Sequence, residues 1–194
     1  MLITADRFLQ MPVMSLQTGS ELARTVGEVI DPRDLTIVAY ELTGPLLDQD
    51  PTLLLVRDIR EIGALGAIIN SSDELIAPSD VVRIKEIYDF QFQLRGKPVV
   101  DQRRKKIGKV VGYTIEAGHF TIQQLQVKRP LFKSFSDTEI LVHRSQITKV
   151  TDDFVMVKSA TVAHQVKPQQ ITGLPAYDNP FRSQPESESE PDAA

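Results

Sequence analysis

Leu35-Thr36-Ile37-Val38-Ala39-Tyr40-Glu41-Leu42 is the stretch on which the fold turns. Leu35, Ile37 and Ala39 share one phase of a strand's alternation, whereas Tyr40 and Leu42 take the other. Successive side chains of a strand point to opposite faces, so an apolar face survives such a change only where an extra residue is inserted. The same change recurs in Phe120-Thr121-Ile122-Gln123-Gln124-Leu125-Gln126-Val127, where Phe120 and Ile122 precede a switch to Leu125 and Val127. The pattern predicts a β-bulge at Val38–Ala39 and another at Gln123–Gln124. Bulges of this kind help a short sheet curl into a barrel.

Outward from these segments the chain continues to match itself. Val26-Gly27-Glu28-Val29-Ile30 aligns with Ile107-Gly108-Lys109-Val110-Val111, and Pro45-Leu46-Leu47 with Pro130-Leu131-Phe132. Ile59, Ile62 and Ala67-Ile68-Ile69 align with Ile147, Val150 and Val155-Met156-Val157. The segments are short, rich in Val, Ile, Leu and Thr, and bounded by Gly, Pro, Asp and Asn, which is strand composition with turn punctuation. The expected fold is mainly β: two tandem small β-barrels, over residues 1–78 and 94–165, joined by a helical connector over 79–93. Gly27 and Gly108 read as places of close backbone approach at a barrel corner. In the connector, Ser79 is expected to cap a helix that packs through Val81, Val82, Ile84 and Tyr88. Residues 166–194 read as a disordered acidic tail, since Ser183–Pro191 holds no apolar residue.

The bulk numbers fit a globular protein: 194 residues, 41% hydrophobic and 25% charged. No apolar run reaches the roughly 18 residues of a spanning helix. Asp6 and Arg7 interrupt the first stretch, which therefore does not read as a secretory signal. Cysteine is absent, excluding disulfides, thiolate metal sites and a cysteine nucleophile. The expected location is the cytoplasm, including the inner face of the membrane. Net charge is −4, but its distribution is uneven: residues 1–93 carry 7 basic and 15 acidic side chains, and residues 94–176 carry 14 and 6. Such asymmetry points to an anionic partner for the basic half, or to self-association of opposite halves.

The pattern of an apolar-Gly-x-Val strand, a following hydrophobic strand and a polar-x-x-Ile-x-x-apolar segment resembles the PRC-barrel family. Here it stands as Val26-Gly27-Glu28-Val29 with Asp58-Ile59-Arg60-Glu61-Ile62, and as Ile107-Gly108-Lys109-Val110 with Gln146-Ile147-Thr148-Lys149-Val150. The resemblance covers roughly residues 12–78 and 94–160. That family is a small β-barrel found in the photosynthetic reaction-centre H subunit and in a ribosome maturation factor. It implies a binding module rather than an enzyme.

Chemistry-bearing patterns are sparse. His119, His143 and His164 are isolated and lack metal-ligand spacing. Asp48-Gln49-Asp50 and Asp152-Asp153 read as acidic turns. No nucleophile elbow or phosphate loop occurs. The expectation is a non-enzyme with no cofactor, no metal and no catalytic residue.

The informative difference lies between the two copies. Thr18-Gly19-Ser20-Glu21-Leu22-Ala23-Arg24-Thr25 faces Asp101-Gln102-Arg103-Arg104-Lys105-Lys106, Leu42-Thr43-Gly44 faces Val127-Lys128-Arg129, and Asp48-Gln49-Asp50 faces Lys133-Ser134-Phe135. Barrel packing accounts for the shared apolar positions and not for the inverted loop charge. The candidate partner-binding residues are therefore Arg103, Arg104, Lys105, Lys106, Lys109, Lys128, Arg129, Lys133 and Phe135. Three anionic partners fit: a protein surface, RNA or a ribosome, and a peripheral anionic membrane. No aromatic strand platform of the RNA-reading kind is visible, so a protein partner in a scaffolding role ranks first.

Overall fold

The computed structural model describes residues 1–129 and 139–158, which belong to one compact unit. The expected tail at 166–194, together with Phe132, Lys133, Phe135 and His164, lies outside the described residues. The chain is mainly β. In the first half it runs through β1 (Leu2–Thr4), β2 (Pro12–Ser15), β3 (Glu21–Asp31), β4 (Thr36–Thr43), β5 (Thr52–Leu55), β6 (Glu61–Gly63), β7 (Gly66–Ile69) and β8 (Leu75–Ile76). Helix α1 (Val82–Asp89) follows, then β9 (Pro98–Asp101), β10 (Lys106–Glu116), β11 (Thr121–Lys128), β12 (Glu139–His143), β13 (Ile147–Val150) and β14 (Val155–Val157).

The two runs pair in the same way. β2 lies antiparallel to β3 and parallel to β7, as β9 lies antiparallel to β10 and parallel to β14. β3–β4–β5 and β10–β11–β12 are successive antiparallel neighbours. Val29 pairs with Ala39 and Ile30 with Ile37, leaving Val38 as the extra residue; Thr114 pairs with Gln124 and Ile115 with Ile122, leaving Gln123. Both bulges read from the phase change are present. They let Ile37, Tyr40 and Leu42, and likewise Ile122, Leu125 and Val127, reach one core. A second pair of bulges, at Val26 and Val111, was not foreseen.

The register corrects the alignment of the glycine strands. Thr25 pairs with Leu42 and Gly27 with Glu41, as Val110 pairs with Val127 and Gly112 with Gln126. Gly27 therefore corresponds to Gly112, four residues beyond the sequence match at Gly108. Close approach holds for Gly108, where a Cβ would press on the Lys128 carbonyl and lie 2.8 Å from Val127 Cγ1. It does not hold for Gly27, whose nearest neighbour would be Glu41 Oε2 at 3.9 Å.

The ladders do not close into barrels among the described residues. The 3₁₀ turns Val56–Asp58 and Arg144–Gln146 swing the chain round without strand pairing between β5 and β6 or between β12 and β13. Instead β4 meets β11, Thr36 against Thr121, and all the strands join one mixed sheet. These two threonines occupy the same place in their ladders. Around them the Ile37 N–H donates to the Phe120 carbonyl at 3.0 Å, and the Ile122 N–H donates to the Leu35 carbonyl at 2.9 Å. The halves thus face one another across a local dyad.

Leu35 and Phe120 both sit at positive φ, 50° and 53°. Left-handed backbone costs a non-glycine residue roughly 1–2 kcal/mol. Burial of both side chains offsets that cost, and Phe120 packs edge-on to Phe8 and Tyr40, with centroids 5.9 and 6.3 Å away. Tyr113 and Glu28, another equivalent pair, add a hydrogen bond from the phenol to the carboxylate, and Arg95 Nε stands 3.9 Å from Glu28. β1 crosses over to pair with β10 of the second half.

Helix α1 lies on the first half. Ile84 and Ile87 bury against Val29, Ala39, Leu53 and Leu55, while Val82 points outward. The helix begins after a 3₁₀ turn, Pro78–Asp80, so Ser79 is not its cap; Asp80 instead accepts the Ala77 N–H at 2.8 Å.

Two stability outcomes follow. Gly108→Ala is expected to cost about 2–4 kcal/mol in urea unfolding, since backbone must move, whereas Gly27→Ala stays within about 1 kcal/mol. Tyr113→Phe is expected to lose about 1–3 kcal/mol by the same measurement, the value of a hydrogen bond to a charged acceptor.

Candidate functional site

The cationic hairpin joins β9 to β10, and its shape comes from one carboxylate. Asp101 Oδ1 accepts the backbone N–H groups of Arg103 and Lys105, both at 2.8 Å. The Asp101 carbonyl accepts the Arg104 N–H at 2.9 Å, and the Lys105 carbonyl accepts the Asp101 N–H at 2.9 Å. Arg104 takes φ 61° to close the turn. An Asp that bonds the backbone two residues on is a standard turn-former. Because the backbone satisfies Asp101, the side chains of Arg103, Arg104, Lys105 and Lys106 all stay exposed. No ion pair ties any of the four to a carboxylate among the described residues.

The first half serves as an internal control. There the hairpin is opened by Ser15, whose hydroxyl accepts the Thr18 N–H at 3.3 Å. Leu22 is bulged in β3 and Ile107 in β10, so Glu21 and Arg24 stand where Lys106 and Lys109 stand. Glu21 and Arg24 neutralise one another, with Arg24 Nε 2.7 Å from Glu21 Oε1. Lys106 and Lys109 cannot. Across the ladder Arg24 meets Thr43, whereas Lys109 meets Lys128. The first half thus has an ion pair and a neutral residue where the second has Lys106, Lys109 and Lys128. Lys128 also stands in register with Glu139.

The structure therefore brings Arg103, Arg104, Lys105, Lys106, Lys109 and Lys128 to one end of the β9–β10–β11 sheet. Arg129 follows directly and is half-buried. Lys133 and Phe135 lie outside the described residues. Two residues that shape this region escaped the sequence reading. Asp101 shapes the hairpin, and an Asp ahead of five polar residues is the signal that would have found it. Lys97, buried over the Phe92 ring at 4.4 Å and bonded to the Asp152 carbonyl, anchors the base of β9 and carries no local sequence signal.

The two described histidines, His119 and His143, stand in turns. The His143 ring nitrogen accepts the Ser145 N–H at 3.2 Å, and His119 Nδ1 lies 3.0 Å from Glu116. The Gly118 N–H, with help from His119, holds the Glu116 carboxyl below the usual carboxylate range. A cleft of about 280 Å³ beside α1 is lined by Glu28, Glu41, Tyr88, Gln91 and Arg95. Burial pushes the phenols of Tyr113 and Tyr40 far above their ordinary range, reinforced by the nearby Glu28, so both remain protonated at any ordinary pH. Among the described residues no helix is long and apolar enough to cross a membrane. Compared with known proteins, the chain matches no family model and no curated sequence.

Lys106→Glu places in the second half the acid that Glu21 supplies in the first. It is expected to raise stability by up to about 0.5 kcal/mol in urea unfolding at low salt, and the gain should vanish at high salt.

Proposed function

We propose that this protein is a non-enzymatic binding scaffold, built from two PRC-barrel-like units over residues 1–78 and 94–165, that docks an acidic protein surface through Arg103, Arg104, Lys105, Lys106, Lys109 and Lys128. The matched ladders and bulges of the two halves support the tandem reading; among the described residues each unit is an open curl rather than a closed barrel. One observation carries the functional reading: the position that holds the Glu21–Arg24 pair in the first half holds Lys106 and Lys109 in the second. Two like charges there replace an ion pair. An external carboxylate surface would remove the repulsion, and the complementary field would speed the encounter. Arg129, Lys133 and Phe135 follow Lys128 in the sequence and belong to the same proposed set.

The test is a variant carrying Arg103→Glu, Arg104→Glu, Lys105→Glu and Lys106→Glu, used as bait beside the native chain with and without nuclease. Circular dichroism and urea unfolding first establish that the variant keeps its fold. A protein partner is captured by the native chain regardless of nuclease and is lost with the reversed hairpin. Loss on nuclease treatment would instead assign RNA or a ribosome, with a log–log salt slope of about −0.7 to −0.9 per neutralised phosphate. Sedimentation with anionic vesicles would assign a membrane surface, where each cation is worth about 1 kcal/mol. Capture unchanged by the reversed hairpin removes the reading altogether.

A further inference from the structure

The two hairpin tips that meet at the dyad offer the same backbone acceptors to the opposite half. Among the described residues, only one set receives a guanidinium. Arg144, from the 3₁₀ turn of the second half, donates to the carbonyls of Leu35 (3.5 Å), Ile122 (3.3 Å) and Asp34. The space left there is about 250 Å³. The matching residue of the other 3₁₀ turn is Val56, which has no donor. It lines a groove of about 730 Å³ with Ile3, Ile59, Ile62 and Phe120.

The acceptors corresponding to those of Asp34, Leu35 and Ile122 are the carbonyls of His119, Phe120 and Ile37. Their cradle has the same construction. Leu35 and Phe120 share the left-handed conformation, and the crosswise Ile37 and Ile122 N–H bonds mirror one another. The Thr36 hydroxyl donates to the Asp34 carbonyl and the Thr121 hydroxyl to the His119 carbonyl, both at 3.5 Å. A carbonyl oxygen has two lone pairs. Leu35 spends its second on Arg144, and Phe120 has the same one to offer.

We propose that this groove binds an arginine side chain of a partner protein. Its guanidinium takes the position relative to His119, Phe120 and Ile37 that Arg144 takes across the dyad, and the apolar neighbours of that arginine pack on Ile59, Ile62 and Phe120. The twin groove is the template, since it holds the ion that satisfies the equivalent carbonyls. A planar guanidinium spreads several donors over separate acceptors, which a lysine ammonium does not reproduce. Glu61 and Glu116 lie along the same groove together with Arg57, Arg60 and the Met1 ammonium, which stands 3.8 Å from Glu116, so the backbone carbonyls rather than net charge select the guanidinium. The groove shares no residue with the cationic surface, so this inference stands apart from the docking reading above.

The test titrates acetyl-Leu-Arg-Leu-amide into the ¹⁵N-labelled full chain, with the norleucine analogue in place of arginine as control. The arginine peptide is expected to shift the amide signals of Ile59, Ile62, His119 and Phe120 saturably, and the analogue to bind about tenfold more weakly or worse. Val56→Arg should abolish those shifts by supplying the guanidinium from within. Arg144→Ala should create a second site, with new shifts at Asp34, Leu35 and Ile147. Equal binding of the analogue, absence of shifts in the groove, or retention of binding in a folded Val56→Arg variant would overturn the proposal. Should Val56→Arg fail to fold, Arg144→Ala decides: no second site there is equally fatal.

Discussion

The pairing of Thr36 with Thr121 is the constraint that organises the molecule. Each half is a curled sheet that gives apolar residues to one shared core. The tips of β3–β4 and β10–β11 join the halves by trading carbonyls and N–H groups across the dyad and by sending Leu35 and Phe120 into the common core. The backbone needs left-handed kinks to do so, and the aromatic contacts among Phe8, Tyr40 and Phe120 hold them in place. Everything else is arranged around that junction: Glu28 with Tyr113, β1 laid on β10, and Arg144 over the opposite tip.

The dyad is local and imperfect, and its departures are where the molecule differs from a simple pair. The face of the first half that α1 covers holds Val29, Ala39, Leu53 and Leu55. The register puts Thr114, Gln124, Leu141 and His143 at the same places in the second. An apolar surface of the first kind requires a cover; a largely polar one does not. The two 3₁₀ turns differ in the same spirit, arginine in one and valine in the other. The hairpins differ most of all, a neutralised pair against a run of cations.

The phase change in each long strand made the bulges at Val38 and Gln123 legible, because alternation is a local property that a one-residue insertion must break. The glycine register was not legible. Apolar-Gly pairs occur at Val26-Gly27, Ile107-Gly108 and Val111-Gly112, and only the hydrogen-bond ladder chooses between the last two. The helix was visible, but its cap was misplaced by a 3₁₀ turn that competes for the same Asp80. The left-handed Leu35 and Phe120 leave no trace in composition, since tertiary burial rather than backbone preference puts them there. Of the candidate site, the exposure of the hairpin cations followed from their density alone. The meeting of Lys109 with Lys128 required the register, and the reach of Arg144 required the dyad.

Asp101 holds the β9–β10 turn through main-chain N–H groups and not through the charged side chains that the turn displays. Shape and electrostatics are thereby uncoupled at this rim. Lineages of this sequence are free to exchange the displayed cations for residues of another chemistry, and so to change allegiance, while the loop keeps its form.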